Sequence, residues 1–245
     1  MNKSIKFLDS NMLRLVACLL MLCDHMWATV VPGNMWMTWV GRLAFPIFAF
    51  QIAEGFIHTS SFSHYAKRLL IFGIISEIPF DLVYGGSMLY PFHQNVMFTL
   101  LFGLLAIKAL DRAREKHTLK AVVGGICLAA LCCLGGAITF SDYGALGVLT
   151  VIMFYICRDF PLSQLVQLCF MLVFNMALFR GEYIPLTICG HYLEFQTQGF
   201  AVLALIPIWL YNGKKSISSK AVQYGFYMFY PLHLLVLYLL HTYVC

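Results

Sequence analysis

Charged residues are scarce in this chain of 245 residues. Asp, Glu, Lys and Arg together make up 11% of it, against about a quarter of a typical soluble domain. Hydrophobic residues make up 61%, which is far more than a soluble fold of this length needs for its core. The scarcity of charge excludes an ordinary soluble domain and favours one membrane domain, residues 1–245, whose solvent is lipid.

Features of several other protein classes are missing as well. The nine cysteines form no CxxC pair and no Cys/His spacing typical of a metal site, so we expect buried free thiols and no bound metal. No internal repeat of the kind common in secondary transporters is visible. The segments between apolar runs are short, so we expect no attached soluble domain.

Long apolar runs are present instead, and each of about 17–25 residues can cross a bilayer as a helix. The sequence predicts an all-α, polytopic bundle of about nine transmembrane helices. The first run is too long for the h-region of a cleavable signal peptide, so we expect it to stay in the protein. The predicted spans lie near residues 11–31, 35–56, 66–84, 93–110, 120–138, 144–157, 162–180, 197–211 and 221–241.

The basic residues predict the orientation of these spans, because cytoplasmic loops carry an excess of Lys and Arg. With a cytoplasmic N-terminus, fourteen of the sixteen Lys and Arg residues fall on the inner side, whereas Arg180 lies outside and Arg42 within a span. The net charge of +5 is then a sign of topology and not of a nucleic-acid partner. The fourteen are Lys3, Lys6, Arg14, Lys67, Arg68, Lys108, Arg112, Arg114, Lys116, Lys120, Arg158, Lys214, Lys215 and Lys220.

Several polar residues interrupt the apolar runs, where each needs a partner or a water-filled cavity. At about 1.5 Å per residue, they fall at a similar depth below the outer ends of the spans, which predicts one polar cavity open to the outer face. They are Asp24, His25, Arg42, Glu77, Asn95, Thr99, Asp142 and Asn175. A competing interpretation is that a carboxylate pairs with Arg42 only to pin helices together, with the amides as interhelical hydrogen bonds.

Arg14 and His25 lie eleven residues apart in the first span. At about 100° per residue they share one helix face, about 16 Å apart along the axis. Such a face suits an extended acyl-coenzyme A, with its phosphates gripped by Arg14 and its thioester near His25, which can take a proton from an attacking hydroxyl or amine. Lys67, Arg68 and Lys214 can bind the same phosphates or attract anionic lipid.

The sequence gives weaker evidence for a functional role of three other histidines. His93 and His191 lie on the predicted outer side and are candidates for contact with an acceptor. His233, near Tyr230 in the last span, is either a satisfied core histidine or part of the cavity wall.

A set of short segments runs in order along nearly the whole chain: residues 24–25, 41–50, 54–56, 58–59, 65, 67–69, 76–81, 94–96, 98–99, 141–144, 147–149, 211–214 and 226–233. Together these segments resemble the TraX family, which is named for a conjugal F-pilin acetylase. The family is similar to a larger class of transmembrane acyltransferases, which carry Arg or Lys, ten residues and then His in the first span. Arg14 and His25 occupy those positions here.

The resemblance implies a bacterial inner-membrane enzyme that takes an acyl group from cytoplasmic acyl-CoA. In this interpretation His25 is the catalytic base and Arg14 a coenzyme A contact. We expect acetyl-CoA as the donor and, as acceptor, a peptide N-terminus, a surface glycan hydroxyl or a lipid head group. Direct transfer and an acetyl-His25 intermediate both stay open.

The remaining polar residues then take supporting roles. Asp24 would orient His25, while Arg42 and Asn95 would stabilise the oxyanion on the thioester carbonyl. Candidate acceptor-binding residues are Glu77, Asp142, Tyr230 and His233. Two rival functions are a proton-coupled transporter that uses Asp24, Arg42 and Glu77 as its path, and a structural subunit whose polar layer only holds helices together.

Overall fold

The structure is a computed structural model in which the chain forms two compact units that alternate along the sequence. Unit 1 comprises Met1–Ile47 and Asp159–Ser218, and unit 2 comprises Phe48–Arg158 and Ser219–Cys245. The structure describes residues 6–158, 160–179, 181–188, 191–214 and 219–244. Three residues that the orientation prediction uses, Lys3, Arg180 and Lys215, lie outside the described residues.

Unit 1 begins with a long helix, α1, that spans Ser10–Thr29. The carboxylate of Asp9 caps it, because Oδ1 accepts the backbone amides of Asn11 and Met12 at 2.8 and 2.9 Å. These are donors that the first turn of a helix leaves without intrahelical partners. The other elements of unit 1 are α2 Trp36–Gly41, α8 Ser163–Val173, a π-helix Phe174–Leu178, β1 Tyr183–Ile188, β2 His191–Gln196, a 3₁₀-helix Thr197–Ala204 and α9 Leu205–Trp209.

Unit 2 contains the helices α4 Phe62–Tyr84, α5 Val96–Lys116, α6 Leu119–Ile138, α7 Gly144–Cys157 and α10 Lys220–Tyr243. Helices α4, α6 and α7 pack against α5, while α10 packs on α4. Fully buried side chains of this unit include Leu104 and Ile107 of α5, Val148 and Val151 of α7, and Leu234 of α10. Helix α3, Ala44–His58, leads the chain from unit 1 into unit 2.

Three helical stretches among the described residues are long and apolar enough to cross a membrane: Ser10–Thr29, Trp36–His58 and Leu119–Ile138. In the last of these, Leu119–Ile138, only 17% of the apolar stretch is buried. Most of α6 therefore presents large apolar side chains outward, as a lipid-facing helix does. The nearly all-helical architecture was predicted from the sequence. The full number of spans and their orientation stay predictions.

The predicted second span, 35–56, is present but interrupted. Helix α2 ends at Gly41, Arg42 and Leu43 form a turn, and α3 starts at Ala44. The predicted eighth span, 197–211, is a 3₁₀-helix followed by the short α9. Pro207 lies in the first turn of α9, where the missing amide hydrogen costs no hydrogen bond, so the α-helical part starts only just before it.

Two paired β-strands that the sequence analysis did not predict, β1 and β2, lie between the π-helix and the 3₁₀-helix in the chain. The strands are antiparallel, with Tyr183 opposite Gln196 and Pro185 opposite Glu194. Ile184, Thr187 and Phe195 are β-branched or aromatic residues, which fit a pleated surface. The segment is too short and too polar for a membrane span, so its sequence indicates only a connection between helices.

Close packing of α1 on α2 depends on Gly41. A Cβ atom at this position would lie 2.4 Å from Cβ of Asp24. We expect Gly41→Ala to push the two helices apart and to lower the free energy of unfolding by about 1–3 kcal/mol, measured by thermal unfolding in detergent. Gly225→Ala is the matched control, since Gly225 lies in α10 with nothing within 4 Å of a built Cβ. Equal melting temperatures for Gly41→Ala and wild type would contradict this packing.

Candidate functional site

An ion pair joins α1 to the end of α2 in unit 1. Nη2 of Arg42 lies 3.3 Å from Oδ1 of Asp24, and the two side chains are 27% and 20% exposed. The same Nη2 donates a hydrogen bond to the hydroxyl of Thr38 at 2.7 Å, one turn earlier along α2. The guanidinium is therefore held from both sides. Of the two interpretations of Arg42, the structure shows the helix-joining contact directly.

His25 follows Asp24 in α1 and is buried, with 9% exposure. Its backbone carbonyl accepts the hydroxyl of Thr29 at 2.6 Å. Since α1 is continuous from Ser10 to Thr29, Arg14 and His25 lie on one helix face, about three turns apart. Arg14 is half-buried. The prediction that both residues lie on one continuous helix is therefore confirmed, and their contacts with coenzyme A stay a prediction.

In unit 2, α4 and α5 are joined by the side-chain amide of Asn95. Its Nδ2 donates to the carbonyl of Gly73 at 2.8 Å and to Oε2 of Glu77. Its Oδ1 accepts the amide of Met97 at 3.0 Å, which caps α5. Asn95 is fully buried, and both hydrogens of its amide are donated within unit 2. Asn95 can stabilise an oxyanion, as predicted, only if these hydrogen bonds of its side-chain amide rearrange.

Asp142 lies in the turn before α7, and hydrogen bonds of its backbone amide and carbonyl groups fix its position. Its amide donates to the carbonyl of Gln94 at 2.8 Å, and its carbonyl accepts the hydroxyl of Thr99. Thr99 also lies 2.9 Å from the hydroxyl of Ser141. Left-handed backbone at Phe140 and Tyr143, with φ of 54° and 63°, makes this turn a strained one, and such residues collect at functional sites.

His93 lies in the connection between α4 and α5, opposite Asp142. Its Nε2 is 3.8 Å from Oδ1 of Asp142, and its ring packs edge-on against Phe80 with the centroids 4.9 Å apart. The neighbouring carboxylate of Asp142 raises the pKa of His93, and the charges of Glu77 and Asp81 act in the same direction, against the opposing effect of burial. The side chain is 39% exposed, so it is reachable by a ligand.

Two residues of α10 lie in the same unit. Tyr230 is buried, forms a hydrogen bond with the backbone of Val96, and interacts electrostatically with Asp142 and Glu77. His233 is also buried, and its Nδ1 lies 2.8 Å from the carbonyl oxygen of Phe229. Tyr230 therefore belongs to the polar cluster of unit 2, and His233 bonds to the backbone of its own helix.

The basic candidates for phosphate contacts are in different environments. The guanidinium carbon of Arg68 lies 5.6 Å from the ring centre of Tyr65 and 6.0 Å from that of Tyr227. Such contacts fix the planar group over aromatic faces. Lys67 and Lys214 are exposed. Their predicted contacts with coenzyme A stay predictions.

The structure thus assembles two polar clusters, one in each unit. Unit 1 contains Asp24, Arg42 and Thr38, with His25 beside them in sequence, and unit 2 contains Glu77, Asn95, Thr99, Ser141, Asp142, Tyr230 and His93. The expectation that all of them line one cavity stays a prediction. Among the described residues, no group of three or more His, Cys, Asp or Glu side chains could hold a metal ion.

Sequence reasoning missed the contributions of Thr38, Ser141 and, in large part, His93. Thr38 carried a signal, because it lies four residues before Arg42 and thus one helical turn away. His93 and Asp142 are far apart in the chain, so their pairing had no local signal. Only the backbone bonds between the segments of Gln94 and Ser141 bring them together.

The ion pair of unit 1 can be tested by a double-mutant cycle. Arg42→Met leaves the carboxylate of Asp24 largely buried without its cation, so we expect the free energy of unfolding to fall by about 2 kcal/mol. The double variant Asp24→Asn/Arg42→Met should be more stable than Arg42→Met alone. Lys108→Met is the control, since it breaks a pair of similar exposure within one helix, Lys108–Asp111, and should cost only about 0.5 kcal/mol. Strictly additive effects of the two substitutions would contradict the coupling.

Comparison with known proteins places the chain in a family. It is 27% identical to the Probable fimbrial assembly protein FimC, serogroup H1, of Dichelobacter nodosus, in an alignment that covers 97% of both chains. No solved structure matches. The sequence model described as TraX protein matches residues 9–241, which is nearly the whole chain. The chain therefore belongs to the TraX family.

Proposed function

We propose that the chain is a multi-pass acetyltransferase of the bacterial inner membrane that takes its acetyl group from cytoplasmic acetyl-CoA. The proposal rests on family membership and on one observation above all. A buried histidine, His25, and Arg14 share one face of the continuous helix α1, beside an ion pair that fixes α1 against α2. A transporter has no comparable observation in its favour.

The donor side of the reaction is assigned to unit 1. Arg14 would grip a phosphate of coenzyme A by paired charge-assisted hydrogen bonds. The thioester would then extend along the helix face to His25. The carbon–sulfur bond of the thioester breaks, the sulfur leaves with the electron pair, and the acetyl carbon bonds to the acceptor nitrogen or oxygen. His25 either takes the proton of the acceptor or carries the acetyl group between two steps.

Asp24 is proposed to support this arrangement through its ion pair with Arg42. The ion pair holds the α1–α2 junction at the level of His25, so the imidazole is presented by a rigid helix. The cation of Arg42 also offers positive potential where negative charge develops on the carbonyl oxygen. Lys67, Arg68 and Lys214 are proposed as further contacts for the phosphates.

The acceptor is proposed to be a peptide N-terminus or a surface hydroxyl at the outer face, with a role in pilus assembly. The relative in Dichelobacter nodosus bears the name of a fimbrial assembly protein, and this relationship supports a pilus-associated role. Glu77, Asp142, Tyr230 and His233 are proposed to face the acceptor. The first three belong to the polar cluster of unit 2.

Binding and hydrolysis of acetyl-CoA by the purified protein in detergent test this function. We expect His25→Ala to bind acetyl-CoA but to hydrolyse it at least about 10²-fold more slowly, because the side chain that transfers the proton is missing. Arg14→Ala should weaken binding by about tenfold or more, because a charge-assisted contact is lost. Calorimetry measures the binding, and release of the free thiol measures the hydrolysis.

Arg112→Ala serves as the control for a lost arginine, since Arg112 is exposed near the end of α5. It should leave both quantities unchanged. A folded wild-type protein that does not bind acetyl-CoA would overturn the proposed function. Unchanged hydrolysis in His25→Ala would overturn the role of that residue.

A further inference from the structure

We infer that the turn between α5 and α6 binds the head group of an anionic phospholipid, whose acyl chains lie along the exposed side of α6. Every residue of this site belongs to unit 2, and the inference goes beyond the proposed function and does not depend on it. Three exposed basic residues, Arg112, Lys116 and Lys120, flank the turn on one side. We call these three residues the basic edge.

Helix α7 defines the opposite side of the α5–α6 pair. A Cβ atom at Gly103 of α5 would lie 2.7 Å from Cγ2 of Val151, and a Cβ atom at Gly136 of α6 would lie 3.2 Å from Cγ2 of Val148. Both valines belong to α7. Gly103 and Gly136 therefore mark the sides of α5 and α6 that face α7.

The basic edge lies on the side away from α7. At about 100° per residue, Arg112 lies about 180° around α5 from Gly103, and Lys116 lies about 140° from it. Lys120 lies about 160° around α6 from Gly136 by the same geometry. The three basic side chains therefore share the side of the helix pair that α7 leaves uncovered, in agreement with their exposure.

The turn that carries the basic edge is held in place by close packing and by a helix cap. A Cβ atom at Gly125 of α6 would lie 2.5 Å from Cβ of Ala113 in α5. The hydroxyl oxygen of Thr118 accepts the amide of Ala121 at 3.3 Å and caps α6. A preformed arrangement lowers the entropy that binding costs.

The turn has a surplus of positive charge. From residue 112 to residue 120 the chain has four basic residues and one acidic residue, which is a formal net charge of +3. The nearby carboxylate of Asp111 already pairs with Lys108 at 3.3 Å and accepts the hydroxyl of Tyr155 at 2.8 Å. Basic clusters at the end of a transmembrane helix are typical of binding to anionic lipid head groups.

An apolar surface of α6 continues from the basic edge. Val123 and Leu131 lie on the same side of α6 as Lys120, and both are more than half exposed. A Cβ atom at Gly124 would meet nothing within 4 Å, so the surface is open one turn beyond Lys120. From Lys120 to Leu131 the helix rises by about 16 Å, which is about half the thickness of the hydrocarbon core. Acyl chains of one leaflet cover this depth.

Charge and apolar surface together favour a lipid over other occupants. A free phosphate would match the basic edge but would leave the apolar side of α6 uncovered. An apolar helix of a second copy would cover α6 but would leave the basic edge without an opposite charge. An anionic phospholipid supplies a phosphate group and acyl chains in one molecule.

Native mass spectrometry of the full chain in detergent tests the inference. Phosphatidylglycerol is the anionic probe, and phosphatidylcholine with the same acyl chains is the zwitterionic one. We expect the wild-type protein to bind phosphatidylglycerol more tightly. Lys116→Gln/Lys120→Gln should lower this preference by at least about tenfold, because two charges beside the head group are lost.

Lys6→Gln/Lys220→Gln is the matched control, since it removes the same net charge from two exposed lysines elsewhere in the chain. It should keep the preference of the wild-type protein. Inorganic phosphate separates a lipid site from a phosphate site. At the same concentration as the lipid it should leave phosphatidylglycerol binding unchanged, because it has no acyl chains.

Four outcomes would overturn the inference. They are an absence of preference in the wild-type protein, an unchanged preference in Lys116→Gln/Lys120→Gln, an equal loss in both double variants, and displacement of the lipid by phosphate. An equal loss would show that net charge alone attracts the lipid. None of these results depends on binding of acetyl-CoA, so the inference and the proposed function can fail separately.

Discussion

Polar groups that are surrounded by apolar side chains need hydrogen-bonding or ionic partners, and this need governs both clusters in this protein. An ionised group placed in such surroundings without a partner costs several kcal/mol. Asp24 and Arg42 meet this cost by pairing with each other, and Thr38 takes a further hydrogen of the guanidinium. The Asp24–Arg42 ion pair forms only if α1 and α2 approach closely, and only glycine at position 41 permits this approach. Packing and electrostatics therefore impose the same geometry on the junction beside His25.

The same constraint organises unit 2 through a neutral side chain. Asn95 caps α5 and at the same time bonds to the backbone of α4 and to Glu77. Because this amide is fully buried, its bonds hold the start of α5 against α4 firmly. The connection between α4 and α5 is then tied to the turn before α7 through Gln94 and Asp142. His93 receives its carboxylate partner as a consequence of these ties.

Membership of the TraX family and the two clusters support different parts of the functional argument. The family relationship covers nearly the whole chain and connects it to a relative named for fimbrial assembly. The clusters supply chemistry that is suited to proton transfer: a buried histidine in α1 and an accessible one facing a fixed carboxylate in unit 2.

Local patterns were enough to predict much of this protein. Composition and long apolar runs predicted a nearly all-helical membrane domain, because burying backbone in lipid leaves few alternatives to helices. Spacing along one helix placed Arg14 and His25 on a common face, since helical periodicity is a local property. Short segments in order along the chain were enough to predict the family.

Other features depended on contacts between distant segments, and only the tertiary structure decided them. Which carboxylate would pair with Arg42 was open in the sequence, and packing around Gly41 selected Asp24. The pairing of β1 with β2 was not predicted, because no helical or apolar periodicity in the sequence indicates strand pairing. The approach of His93 to Asp142 depends on backbone bonds between residues almost fifty positions apart. Apolar patterning determines which residues are buried, but the choice of partner for each polar group depends on the arrangement of the helices in space.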